Sequence, residues 1–271
     1  MAQAQMRVGH SAGRAEQLLV TGVSRRFGGV QAVKDVSVSI GLGEIVSVIG
    51  PNGAGKTSLL NIISGFYVPD TGRITLEGQD ITRARPSRIA ALGISRTFQN
   101  IALFTGLTVL DNIMLGRHVH MRSGVLSNLL YWGPTRSEEI RHRRRAEEIL
   151  DFLRLTHLRT SMTGELAYGL RKRVELGRAL ALDPRILLLD EPMGGMNQDE
   201  KDDMARVVLE VNAKWGTTIV LIEHDMGVVM DLSERVVVME RGQKISEGTP
   251  AEVQRDPAVL RAYLGTRRER S

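Results

Sequence analysis

The sequence of 271 residues contains no cysteine and only 11 aromatic residues. Without cysteine the chain has no disulfide, no thiolate metal ligand and no thiol nucleophile, so these three kinds of chemistry are excluded. Long apolar runs are also missing, because the longest stretch without a charged residue, 97–110, has 14 residues. A helix that spans a membrane needs roughly 18 to 20 apolar residues, so we expect none in this sequence.

Charge of one sign is in only slight excess, with 36 lysines and arginines against 31 acidic residues and a net charge of +5. Two segments, 136–145 and 261–271, each carry +3, which leaves the rest of the chain at −1. Few aromatic side chains are interleaved with these arginines as stacking platforms for bases. The pattern therefore favours a solvated or membrane-proximal surface over a nucleic-acid site.

The chain is otherwise of globular composition, with 42% apolar and 25% charged residues, and its length suits one large domain or two small ones. Its first residues include Arg7, His10 and Arg14 without an apolar block. We therefore expect a flexible polar tail over 1–17 rather than a secretory signal, and a protein that stays in the cytoplasm.

The order of apolar patterns along the chain predicts strands first, helices in the middle, and strands that alternate with helices at the end. Two strands at 18–27 and 33–40 flank Gly28-Gly29 and predict a hairpin with one solvated face. Residues 109–158 contain no strong strand candidate and predict an inserted helical subdomain. Further strands are predicted at 44–49, 73–76, 80–82, 186–189, 217–222 and 236–239, and helices at 57–65 and 198–215. Near-continuous apolar strands that alternate with helices indicate an α/β fold with a mostly parallel sheet covered on both faces.

A glycine-rich loop lies between the strand at 44–49 and the helix at 57–65. It satisfies the pattern G-x-x-x-x-G-K-[ST] with Gly50, Pro51, Asn52, Gly53, Ala54, Gly55, Lys56 and Thr57. Glycines let successive N–H groups point into one concavity that holds phosphate oxygens, and the following helix presents its positive end to the same charge. We expect Lys56 to reach the β and γ phosphates and Thr57 to contact Mg²⁺.

An apolar strand at 186–189 delivers two adjacent carboxylates, Asp190 and Glu191. Adjacent side chains of a strand point to opposite faces, so these two groups can have different tasks. We expect Asp190 to orient the Mg²⁺ shell and Glu191 to position and polarise the water that attacks the γ-phosphate. An isolated Asp-Glu pair at a strand end is common and does not by itself indicate catalysis. A phosphate loop in the same chain favours the catalytic interpretation.

With these motifs in this order, the sequence resembles the nucleotide-binding subunits of ATP-binding cassette (ABC) transporters from about residue 18 to residue 265. The resemblance implies a P-loop NTPase core with a mostly parallel sheet, an N-terminal antiparallel β subdomain and an inserted α-helical subdomain at about 103–178. It implies that the cassette occupies 18–266 and is followed by a basic tail at 267–271. It also implies ATP and Mg²⁺ as the bound groups.

Three further residues have positions like those of functional residues in this family. Phe27 resembles the aromatic residue that stacks on adenine, and the alternative is a core residue of the hairpin. Gln99, within Thr97-Phe98-Gln99, resembles the glutamine whose loop touches Mg²⁺ and the membrane subunit. His224 resembles the switch histidine that contacts the γ-phosphate. The implied ATP-binding set also includes Ser58, and the implied Mg²⁺ ligands are Thr57, Gln99 and Asp190.

Leu166, Ala167, Tyr168 and Gly169 occupy the place of the family signature, commonly Leu-Ser-Gly-Gly-Gln. This signature offers backbone N–H groups and a helix N-terminus to the γ-phosphate bound by the opposite subunit, which Gly169 and the helix still allow. Ala167 donates no hydroxyl, and one lost charge-assisted hydrogen bond costs roughly 1.5 to 3 kcal/mol. Asn197 stands where the family has the aspartate of its D-loop, which weakens any role that needs a carboxylate there.

Three other strings, at 108–112, 223–226 and 248–265, resemble the ATPases that power uptake of branched-chain and other hydrophobic amino acids. This likeness implies a second cassette, identical or different, integral membrane permease subunits, and a periplasmic solute-binding protein that acts indirectly. It implies a peripheral position on the cytoplasmic face of the plasma (inner) membrane and no nucleic-acid partner.

Two alternatives stay open on the sequence. A soluble ABC-type ATPase that acts on nucleic acid or ribosomes is disfavoured by the single phosphate loop and by the lack of sustained heptads. A non-hydrolysing module that assembles when ATP binds is suggested by Ala167 and Leu170 in the signature region.

Overall fold

The computed structural model describes residues 14–99, 101–117 and 134–268, apart from the side chains of 134–138 and 264–268. The described residues form two compact units, numbered 1 and 2 below. Unit 1 combines the segment that ends at Ile89 with the segment that starts at Leu209, and unit 2 is Ala90–Val208. Of the two predicted tails, 1–13 and 269–271 lie outside the described residues, and the prediction of a flexible tail over 1–17 is wrong at Glu16 and Gln17, which belong to a strand.

In chain order the strands are β1 (Glu16–Phe27), β2 (Val30–Gly41), β3 (Ile45–Ile49), β4 (Thr71–Leu76), β5 (Gln79–Asp80), β6 (Ile94–Arg96), β7 (Ile186–Asp190), β8 (Thr218–Ile222), β9 (Arg235–Glu240) and β10 (Gln243–Gly248). The helices are α1 (Lys56–Ile63), α2 (Pro86–Ala91), α3 (Val109–Leu115), α4 (Pro134–Phe152), α5 (Tyr168–Leu180), α6 (Gln198–Trp215), α7 (Met226–Leu232), α8 (Pro250–Arg255) and α9 (Pro257–Arg268). Unit 2 contains β6, β7 and α3 to α5, and α2 and α6 run across its two ends.

The first two strands form the predicted hairpin. β1 pairs antiparallel with β2, with Leu18 opposite Ile40 and Val20 opposite Val38, and these four side chains are buried because alternate residues of a strand face the core. β4 and β5 extend this sheet to the order β2-β1-β4-β5. β1 begins two residues earlier than predicted, and β5 ends at Asp80, so the strand predicted at 80–82 is wrong in its extent.

The other strands of unit 1 lie in the order β10-β9-β3-β8. β3 is parallel to both β8 and β9, and every residue of β3 and β8 is buried, as expected for a parallel sheet covered on both faces. The sequence pattern gives no sign of β10, which pairs antiparallel with β9, because most of its residues are polar and none is fully buried. An apolar cluster that includes Ile49, Val238 and Val259 lies between these strands and the last helices.

Unit 2 combines two parallel strands with helices. β6 pairs with β7, with Ile94 opposite Ile186, and β6 escapes sequence analysis because it has only three residues. The helices pack closely, since a Cβ added to Gly177 of α5 would lie 2.8 Å from Leu153, the residue that follows α4. A helical region between β6 and β7 is therefore present, as predicted, in the described parts of 109–158.

The arginine-rich run is partly solvated and partly paired. Arg141, Arg143 and Arg144 are exposed on α4, whereas Arg145 donates to Asp183 at 2.8 Å. The side chains of 136–138 lie outside the described residues. None of the helices in the described ranges is long and apolar enough to cross a membrane.

Candidate functional site

In unit 1 the glycine-rich loop, residues 50–57, joins the buried strand β3 to helix α1. Gly50 and Gly55 have φ angles of 147° and 95°, in the left-handed region that favours glycine. A Cβ at Gly50 would lie 2.0 Å from the carbonyl oxygen of Met239, and one at Gly55 would lie 2.2 Å from that of Ala32. Both positions therefore require glycine for space as well as for conformation.

The loop has the form of an anion site. The Lys56 ammonium, which is 6% exposed, donates to the carbonyls of Gly50 at 2.7 Å and Pro51 at 3.1 Å. Thr57 and Ser58 follow in the first turn of α1, where backbone N–H groups have no partner within the helix itself. A curled backbone, a helix N-terminus and an ammonium group together attract phosphate.

The C-terminal helix α9 reaches this loop. Tyr263 packs against the apolar cluster that contains Ile49, the residue just before the loop. The Gly50 N–H donates a hydrogen bond to the Tyr263 phenol oxygen, while burial raises the pKa of Tyr263. In the sequence, the string around Tyr263 indicates only a resemblance to the amino acid uptake ATPases. No local pattern predicts that α9 folds back onto β3.

Phe27 lies at the end of β1 and is 37% exposed, which is unlike a hairpin core residue. Its ring centroid is 4.8 Å from that of Tyr67, with an interplanar angle of 67°. The Arg25 guanidinium lies 5.0 Å from the Phe27 centroid and is anchored by Asp70 at 2.7 Å. Unit 1 therefore presents a partly exposed ring that is held in place by two neighbours, both missed in the sequence.

His224 comes shortly after the buried strand β8 and is exposed. Its backbone N–H donates to the Glu223 carboxylate at 3.2 Å. Asp225, the next residue, caps α7 by accepting the Gly227 N–H at 3.1 Å. The backbone turn at His224 is thus held by hydrogen bonds on both sides.

In unit 2 the carboxylate of Asp190 is deeply buried. Asp190 is 1% exposed at the end of β7 and pairs with Arg96 of β6, with 2.9 Å between Oδ2 and Nη2. The Arg96 guanidinium also lies 5.4 Å from the centre of the Phe98 ring. Sequence analysis missed Arg96, although it stands three residues before Gln99.

Glu191 and Gln99 meet in unit 2. The strand β7 ends at Asp190, and Glu191 has a φ of 51°, a left-handed conformation that is uncommon for a non-glycine residue. The prediction that both carboxylates occupy a strand and therefore point to opposite faces is wrong in its reason, because a turn at Glu191 redirects its side chain. The Gln99 amide donates to the Glu191 carboxylate at 3.1 Å.

The signature residues begin helix α5. Ala167 is the N-cap and makes no side-chain capping bond, in agreement with its missing hydroxyl. A Cβ at Gly169 would lie 2.5 Å from the Glu200 carboxylate, and one at Gly195 would lie 3.1 Å from the Tyr168 ring. The signature therefore packs on the D-loop of its own chain, and Leu166 before it is buried.

Asn197 has a structural role that the sequence did not reveal. Its side-chain oxygen accepts the Glu200 N–H at 2.9 Å, and the Glu200 carboxylate accepts the Asn197 N–H at 3.0 Å. This reciprocal pair is the arrangement of a capping box at the start of α6. An asparagine can perform this capping as well as an aspartate can.

The proposed Mg²⁺ ligands fit the ion by their chemistry. Among the described residues no group of three or more His, Cys, Asp or Glu side chains could hold a metal ion. Mg²⁺ keeps several waters and takes one or two carboxylates together with substrate phosphates, so it needs no such group. The hydroxyl of Thr57, the amide oxygen of Gln99 and the carboxylate of Asp190 are oxygen donors of the required kind.

Comparison with known proteins decides the family. The family model described as ABC transporter matches residues 33–194, more than half of the chain. The chain belongs to the ABC transporter family. A second family model, described as Branched-chain amino acid ATP-binding cassette transporter, matches residues 243–269. The predicted family and subgroup are thereby confirmed.

Individual members of the ABC transporter family agree with this assignment. The high-affinity branched-chain amino acid transport ATP-binding protein LivG of Salmonella typhimurium is 40% identical over 92% of this chain and 97% of its own. The corresponding protein BraF of Pseudomonas aeruginosa is 39% identical with the same coverage. The ADP conformation of an ATP-binding cassette of an ABC transporter is 36% identical, with a TM-score of 0.80 over 93% of this chain and 99% of that one. The predicted ABC ATPase fold is confirmed.

Proposed function

We propose that this chain is the ATP-hydrolysing subunit of an ABC transporter that takes up branched-chain amino acids. The observation that carries the proposal is the match of residues 243–269 to the branched-chain amino acid family, on a chain whose residues 50–57 have the form of a phosphate loop. The relatives LivG and BraF are named as ATP-binding proteins of high-affinity branched-chain amino acid transport, which supports the same substrate class here.

Binding of ATP is assigned to unit 1. The backbone N–H groups of residues 52–55, with those of Thr57 and Ser58, hold the β and γ phosphates. The Lys56 ammonium exchanges its two loop carbonyls for phosphate oxygens, because a negatively charged acceptor makes a stronger hydrogen bond. The partly exposed ring of Phe27 stacks on adenine, and Tyr67 and Arg25 keep that ring in position.

Hydrolysis is assigned to Glu191, His224 and Gln99. Glu191 accepts a proton from the attacking water, which requires an ionised and oriented carboxylate. The hydrogen bond from Gln99 at 3.1 Å provides this orientation. His224 donates a hydrogen bond to the γ-phosphate, so this contact is made only while the γ-phosphate is bound.

Thr57, Gln99 and Asp190 are the residues that would hold Mg²⁺, as the family resemblance implies. Mg²⁺, when bound, neutralises charge on the β and γ phosphates and orients them for in-line attack. The Asp190 carboxylate pairs with Arg96 at 2.9 Å, which holds this oxygen ligand in a fixed position at the end of β7.

Two cassettes, identical or different, are proposed to close on ATP. Leu166, Ala167, Tyr168 and Gly169 of one subunit contact the γ-phosphate bound by the other through backbone N–H groups and the N-terminus of α5. A dimeric ATP-binding cassette bound to ADP and Pi is 26% identical to this chain with a TM-score of 0.73, which supports such a dimer. Loss of γ-phosphate contacts after hydrolysis lets the pair reopen.

The transport partners follow from this function. We place the chain peripherally on the cytoplasmic face of the plasma (inner) membrane, bound to integral membrane permease subunits. A periplasmic solute-binding protein delivers the amino acid to the permease and acts on this chain indirectly. No nucleic acid takes part.

Uptake of labelled leucine in cells that lack this chain tests the substrate class. We expect uptake to fall to background and to recover with the wild-type chain but not with Glu191→Gln. Uptake of labelled sulfate in the same cells is the control and should stay unchanged. Leucine uptake that is independent of the chain, at a leucine concentration low enough for a high-affinity system, would contradict the proposal.

A further inference from the structure

The backbone of the Gln99 loop, residues 97–99 and 101–104, is held by side chains of helix α5. The Lys172 ammonium donates to the Gln99 carbonyl at 3.0 Å. The Glu175 carboxylate accepts the Phe98 N–H at 3.3 Å. Arg178 donates to the Ala102 carbonyl at 2.5 Å. Three charged residues, spaced three apart on one helix, thus bind three backbone groups of one loop.

Two of these charges are almost completely buried. Lys172 is 4% and Glu175 is 2% exposed, and burial raises the pKa of Glu175 against the opposing effects of Lys172 and the Phe98 N–H. Burying a charge is unfavourable unless it is paired and hydrogen-bonded, and apolar residues of similar size are often as stable in such places. Packing alone therefore does not explain these residue types, whereas positioning of the loop backbone does.

Lys172 also connects the loop to the signature. Its ammonium lies 5.9 Å from the centre of the Tyr168 ring, and a Cβ at Gly195 would lie 3.1 Å from that ring. On the other side, the side chain of Gln99 donates to Glu191 at 3.1 Å. Lys172 is therefore in contact with a signature residue and with the backbone of the residue that binds Glu191.

We propose that Lys172, Glu175 and Arg178 are positioning residues that fix the backbone of the Gln99 loop so that the Gln99 amide reaches the Glu191 carboxylate. The roles given to Gln99 and Glu191 rest on the proposed function. The three residues act through the loop and do not touch substrate.

Amide hydrogen exchange of the full chain tests the positioning directly and without reference to catalysis. In Lys172→Met, which keeps the length of the stem but removes the donor, exchange within 97–104 should increase about tenfold. Exchange in β7 should stay unchanged. Lys172→Arg retains a donor and should restore protection of the loop.

The matched control is Arg173→Met on the same helix. Arg173 pairs with Asp203 at 2.7 Å and makes no hydrogen bond to the described residues of the loop. Its replacement removes the same charge from α5, so it should leave exchange of 97–104 at the wild-type level. Equal loop exchange in Lys172→Met and Arg173→Met would overturn the proposal.

Steady-state ATP hydrolysis gives the second readout. We expect Lys172→Met to lower kcat roughly tenfold with KM for ATP within about twofold, because positioning of a reacting group affects the chemical step. The double variant Lys172→Met/Gln99→Ala should be no slower than Gln99→Ala, since both changes remove the same interaction. Multiplicative losses would show that Lys172 acts independently of Gln99 and would overturn the proposal.

A separate result would show that the proposed function itself is wrong. If Glu191→Gln hydrolysed ATP as fast as the wild type, the catalytic roles would be wrong. The exchange comparison between Lys172→Met and Arg173→Met would still decide whether α5 positions the loop.

Discussion

Arg96 and Asp190 form a buried ion pair, with 2.9 Å between the guanidinium and the carboxylate and side-chain exposures of 6% and 1%. Removing one partner of such a pair leaves the other charge in a region of low polarity. We expect Arg96→Met to lower the free energy of unfolding by about 3 to 5 kcal/mol. Denaturant unfolding followed by circular dichroism measures this change.

The control for this pair is Arg159→Met. Arg159 and Glu147 are 3.8 Å apart and partly exposed, at 48% and 30%, so their separation should cost less than about 1 kcal/mol. The double variant Arg96→Met/Asp190→Asn should recover part of the loss, because it removes both charges. An Arg96→Met variant as stable as Arg159→Met would refute the importance of the pair.

Glu44 gives a prediction about pH. Burial alone would raise its pKa, but hydrogen bonds from Arg235 and from the Gly41 N–H outweigh burial and hold the pKa below its usual 4.5. An acid with a lowered pKa in the folded state contributes stability above its unfolded pKa, and loses it as pH falls through the folded value. The wild type should therefore lose stability below about pH 4.5.

Glu44→Gln isolates this contribution. Because glutamine does not titrate, the free-energy difference between wild type and Glu44→Gln should shrink as the pH is lowered from 7 towards 3. Unfolding in denaturant at several pH values provides the comparison. A difference that stays constant over this range would mean that the Glu44 charge contributes nothing to folding.

Tyr263 links the family-specific C-terminal segment to the phosphate loop. Tyr263→Phe keeps the packing against the cluster around Ile49 but removes the acceptor of the Gly50 N–H. A hydrogen bond of this kind contributes about 0.5 to 1.5 kcal/mol, so ATP affinity should fall roughly two- to tenfold. Titration calorimetry with ATP and a catalytically inactive background measures this change.

Leu260→Ala is the matched control on α9. Leu260 is 48% exposed, so its truncation should alter ATP affinity by less than about twofold. If Tyr263→Phe bound ATP as tightly as Leu260→Ala, the contact between α9 and the loop would have no part in nucleotide binding.

Local patterns in the sequence predicted much of unit 1. The hairpin of β1 and β2, the buried strand β3 and the loop before α1 each depend on short-range alternation, glycine positions or a run of apolar residues. β8 and β9 were predicted for the same reason. Polar β10 could not be found in this way, because its place depends on pairing with β9 rather than on its own composition.

The missed parts of the site depend on contacts between distant segments. Arg96 acquires meaning only when β6 lies beside β7, and Lys172 and Glu175 only when α5 lies against the Gln99 loop. The left-handed backbone conformation at Glu191 likewise could not be predicted, because the residue at that position is not a glycine. Motif spacing predicts which residues face ATP, whereas the residues that hold them in place can be found only in the folded chain.

The central claim is that this chain hydrolyses ATP with Glu191 as the base, and one variant tests it most directly. Purified Glu191→Gln should bind ATP within about threefold of the wild type but release phosphate at least a hundredfold more slowly, as expected for loss of a general base. Glu139→Gln, exposed on α4, is the control and should match the wild type. Phosphate release by Glu191→Gln at the wild-type rate would contradict the account.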